Sequence, residues 1–61
     1  MQEFESKIKI ELPNLERSRD KFLWMRDNAR NADNAAFFDY MSIHLKTVCN
    51  ELDDYLKHGT F

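Results

Sequence analysis

The chain has 61 residues and a net charge of −2, with 33% charged residues, 13% aromatic residues, one cysteine and one glycine. That length allows one domain, and so small a domain buries only about 60% of the surface its unfolded chain exposes, which leaves it short of stabilisation without a staple or a partner. The composition excludes an internal disulfide (Cys49 is alone), a zinc site built from one Cys and two histidines 14 residues apart, and a glycine-rich phosphate loop.

Residues 1–13 form an N-terminal arm with two readings. Lys7-Ile8-Lys9-Ile10-Glu11-Leu12 alternates as a half-buried strand does, and Pro13 then ends the strand or opens the next helix. In the second reading the arm is helical, because Phe4, Ile8, Leu12 and Leu15 are spaced 4, 4 and 3 apart. A proline inside a helix costs about 3 kcal/mol, which weighs against it.

Residues 14–30 are expected to form the first helix, with Leu15, Phe22, Met25 and Ala29 on one face and Leu23 at its border. The polar stretch Asn31-Ala32-Asp33-Asn34 breaks the pattern, and Asp33 or Asn34 is expected to cap the second helix. That helix is expected over 33–58. Lys57 and His58 suit the negative end of its dipole, and Gly59 suits its left-handed stop. Phe38, Met41, Leu45, Val48, Leu52 and Tyr55 recur at steps of 3, 4, 3, 4 and 3, which is the rhythm of a coiled-coil seam, and Phe37, Cys49 and Leu56 widen it. The fold expected is all-α. It is an antiparallel helical hairpin that pairs with a second copy as a four-helix bundle, this seam serving as the oligomer contact.

Charge divides along the chain, with −1 over residues 1–12, +2 over 13–32 and −3 over 33–61. A basic helix beside an acidic one explains this within a hairpin or across a dimer. Trp24 falls among Arg17, Asp20 and Lys21, away from the apolar face, and a lone indole on a charged face is a candidate contact for a partner. Tyr40 and Ile43 form a smaller candidate patch on the outer side of the second helix. Arg17, Lys21, Trp24, Tyr40 and Ile43 are therefore the partner-binding candidates.

No residue pattern asks for catalysis. His44 and His58 read as boundary and helix-end residues, Cys49 as a small apolar filler, and Asp53-Asp54 as a solvated face. The expected function is a small non-enzymatic interaction or regulatory module that partners itself and another protein, with no cofactor and no metal. With no leader peptide and no membrane span, the expected setting is cytoplasmic. The alternative is nucleic-acid binding through the basic first helix. The central turn in a chain of 61 residues resembles the Rop-type plasmid copy-number regulators, which implies RNA as a ligand. The order strand, proline, helix, turn, helix resembles the ribbon-helix-helix repressors, which implies Lys7, Lys9 and Glu11 facing the DNA major groove.

Overall fold

The computed structural model describes residues 2–59. Helix α1 runs from Gln2 to Asp27 and helix α2 from Ala32 to His58, and no strand occurs among the described residues. The two helices pack antiparallel as a hairpin. Phe4 meets Tyr55 at one end, while Phe22 meets Phe38 and Arg26 meets Asp39 near the turn.

The arm is helical, which corrects the extended reading of residues 7–12. A lone strand has no ladder partner here, whereas a helix delivers Phe4, Ile8, Leu12 and Leu15 to α2. Ile8 is only 4% exposed, and the Phe4 and Tyr55 rings pack edge-on with centroids 5.3 Å apart. Pro13 lies inside α1 on its exposed side. The carbonyl of Lys9, left without its helical donor, sits on an exposed residue, so water compensates part of the loss.

The turn is set by asparagines. The carbonyl of Trp24 accepts from the Asn28 backbone at 3.1 Å and from the Asn28 side chain at 2.8 Å, which closes α1 three residues before the expected position 30. Asn31, and not Asp33 or Asn34, caps α2. Its backbone is extended, and its side chain accepts from the Asn34 backbone N–H at 2.9 Å. Asp33 falls in the first turn, where its charge suits the positive end of the dipole. Gly59 closes α2 at φ 72°, donating its N–H to the Tyr55 carbonyl at 2.7 Å.

The hairpin measures 45 × 18 × 11 Å. Its long axis is about that of a 27-residue helix, and its shortest dimension is about one helix diameter, so the fold is a single layer. Ile8, Ser42 and Cys49 are the buried residues among those described, at 4–6% exposure, and no large side chain among them is fully buried.

Candidate interaction surfaces

The line of α2 that faces α1 contains Phe38, Ser42, Leu45, Cys49, Leu52 and Leu56, again at alternating steps of 4 and 3. Ser42 and Cys49 are small, which lets the helices approach closely, and both are buried. Ser42 satisfies its hydroxyl by donating to the Asp39 carbonyl at 2.7 Å. Burial pushes the Cys49 thiol above its ordinary pKa, with Glu16 adding to the shift and Arg19 opposing it.

Phe38, Leu45 and Leu52 of the expected seam therefore serve the intrachain contact. Met41, Val48 and Tyr55 sit one position round, on a shoulder where they stay half-buried; Tyr55 still meets α1 through Phe4, while Phe37 beside Met41 is 56% exposed. On α1, Phe4, Phe22 and Met25 take the same side, as the ring contacts Phe4–Tyr55 and Phe22–Phe38 show. One broad face of the layer is thus apolar along the α2 shoulder and at the two ends of α1, while exposed Lys7, Glu11 and Ser18 occupy the middle of α1 on that side. The opposite broad face carries a shallow mixed groove, with Arg19, Arg26, Asp39 and Lys46 around Leu23 and Ile43. There Arg26 reaches Asp39 at 2.8 Å, the ion pair that links the two helices among the described residues. Its hydrogen bonds, to Asp39 first and then to Asp27, hold the guanidinium pKa above its usual value.

The remaining candidates stand on the two outer edges. Trp24 is 65% exposed on α1, in line with Arg17 and Lys21, and Arg17 bonds to the side chain of Asn14. Tyr40 and Ile43 are exposed on α2, where the Tyr40 ring stacks on His44. The structure therefore separates the candidates into an α1 edge, with Arg17, Lys21 and Trp24, and an α2 edge, with Tyr40 and Ile43, where Ile43 also borders the groove lined by Arg19, Leu23 and Arg26. Sequence reasoning missed the rotation of the α2 seam, although its signal was present, since Ser42 and Cys49 stand at helical spacing between Phe38, Leu45 and Leu52. Arg19 and Arg26 lie half-buried, as their helical spacing beside the apolar face of α1 implies.

Among the described residues no group of three or more His, Cys, Asp and Glu side chains is placed to hold a metal ion, and no helix is long and apolar enough to cross a membrane. No protein-family model matches this sequence, and no curated protein or solved structure matches it.

Proposed function

We propose that this chain is a non-enzymatic interaction module that acts as a self-associating helical hairpin, two copies joining by their apolar broad faces into a four-helix bundle. One observation carries this reading. The hairpin is one layer about 11 Å thick, with the shoulder around Phe37, Met41 and Val48 left without a covering element. Stable domains bury such a face between two layers. A second copy supplies a layer of matching length and the same apolar face, as a two-fold contact requires.

Sedimentation equilibrium tests the reading. In about 1 M salt the expected species at tens of micromolar is a dimer, and Met41→Asp, which puts a charge on the shoulder, is expected to yield a monomer. A compact, fully helical monomer from the unaltered chain overturns it.

Nucleic-acid binding is the second reading, carried by the exposed cations Arg17 and Lys21 beside Trp24. Its ribbon-helix-helix form has lost its reading element, since residues 7–12 are helical. The Rop-like form predicts binding to double-stranded RNA that weakens with salt and with Arg17→Ala.

A further inference from the structure

Among the described residues, four of the six exposed large apolar side chains lie off the apolar broad face: Ile10 and Trp24 on the α1 edge, Tyr40 and Ile43 on the α2 edge. Between Ile10 and Trp24 the α1 edge carries Asn14, Arg17 and Lys21, at steps of 4, 3, 4 and 3. Arg19 and Arg26 are each engaged by a carboxylate, but Arg17 bonds to neutral Asn14 and Lys21 has no ion pair among the described residues. The α2 edge repeats the same steps from Ile43 through Thr47, Asn50, Asp54 and Lys57. Lys57 is held by Asp53 at 3.1 Å, whereas Asp54 and Glu51 have no ion pair among the described residues.

The two edges therefore match in order as well as in spacing. Laid parallel at one constant offset, Ile10 meets Ile43, Asn14 meets Thr47, Lys21 meets Asp54, and Arg17 reaches Glu51 beside Asn50. Trp24 then covers the aliphatic stem of Lys57, a contact with cation–π character. We infer that the outer edge of α1 docks on the outer edge of α2 of a second copy, cations against acids, with an apolar pair at the start of the contact. The contact joins two different surfaces of the hairpin, so it is head-to-tail and not two-fold. It adds copies side by side beyond the dimer. This rests on the reading of the chain as a self-associating hairpin, and it uses a different surface from the broad-face pairing.

Sedimentation velocity on the full chain tests it. At about 0.01 M salt, species larger than the dimer are expected to grow with concentration, and at about 1 M salt, where the Debye length falls to about 3 Å, they are expected to vanish while the dimer persists. The double variants R17E/K21E and E51K/D54K, each checked for helix content by circular dichroism, are both expected to lose these species. Mixing the two variants is expected to restore them as a hetero-assembly. Lateral growth that survives in either variant alone, or an inert mixture, overturns the inference. So does a wild-type chain that stays dimeric at low salt, including one that instead binds double-stranded RNA through Arg17. Met41→Asp separates the two surfaces: it removes the broad-face dimer and leaves the salt-sensitive edge contact in place.

Discussion

At the scale of single residues, stability concentrates in few places because few side chains are buried. Ile8 is the largest of the buried residues, so Ile8→Ala is expected to cost about 2–4 kcal/mol, read by urea unfolding at fixed protein concentration. The Arg26–Asp39 pair is different. Both side chains are more than a third exposed, and Asp39→Asn is expected to leave the urea midpoint almost unchanged despite the short 2.8 Å contact. Cys49 gives a pH prediction with a definite sign. Its folded pKa is raised by burial, so the unfolded state releases its proton at lower pH than the folded state does. Its contribution is fully present below the ordinary thiol pKa and is lost as pH rises through the folded value. Unfolding midpoints measured across the alkaline range are expected to fall more steeply for the native chain than for Cys49→Ala. Equal slopes would contradict the burial argument.

At the scale of elements, α2 was legible because three signals agree on it: a long apolar period, a polar break before it and Gly59 after it. The arm was not legible because two periods coexist in one hexapeptide. Ile8, Ile10 and Leu12 share a face in a strand, whereas a helix sends Ile10 to the opposite side from Ile8. The structure takes the helix, leaving Ile10 66% exposed and Ile8 buried. The half of α2 beyond Leu45 decides the matter, since only a helical arm covers it, and local alternation carries no information about that need. The candidate site was legible in part for a related reason. Trp24, Tyr40 and Ile43 stand off the apolar stripe in any helical projection, but the division of the stripe between an internal seam and an open shoulder depends on how α1 rotates against α2. Pro13 remains the element's weak point. Pro13→Ala restores a donor for the Lys9 carbonyl and removes a steric clash at an exposed site, so it is expected to stabilise the hairpin by about 1–3 kcal/mol, visible as a higher melting temperature. A lower melting temperature would mean that the proline shapes α1 to fit α2.

At the scale of the whole molecule, the decisive quantity is the thickness of one helix. A single layer in which no large side chain is fully buried among the described residues falls short of the apolar burial that a compact domain sets against its ordering cost. If a second copy supplies the missing layer, folding and association are one equilibrium and stability depends on protein concentration. Each tenfold dilution then removes about 1.4 kcal/mol per mole of dimer, which for a two-chain unit of this size lowers the melting temperature by roughly 4 °C. Thermal melts monitored by circular dichroism over a hundredfold range of concentration at high salt, where edge contacts are screened, are expected to show this drift. The same drift is expected to disappear in Met41→Asp, with a lower midpoint at every concentration, because the shoulder then faces water in every copy. A native-chain midpoint that stays constant over that range with full helix content would show that the lone hairpin satisfies itself, and the apolar face would then have to be explained as a site for some other molecule.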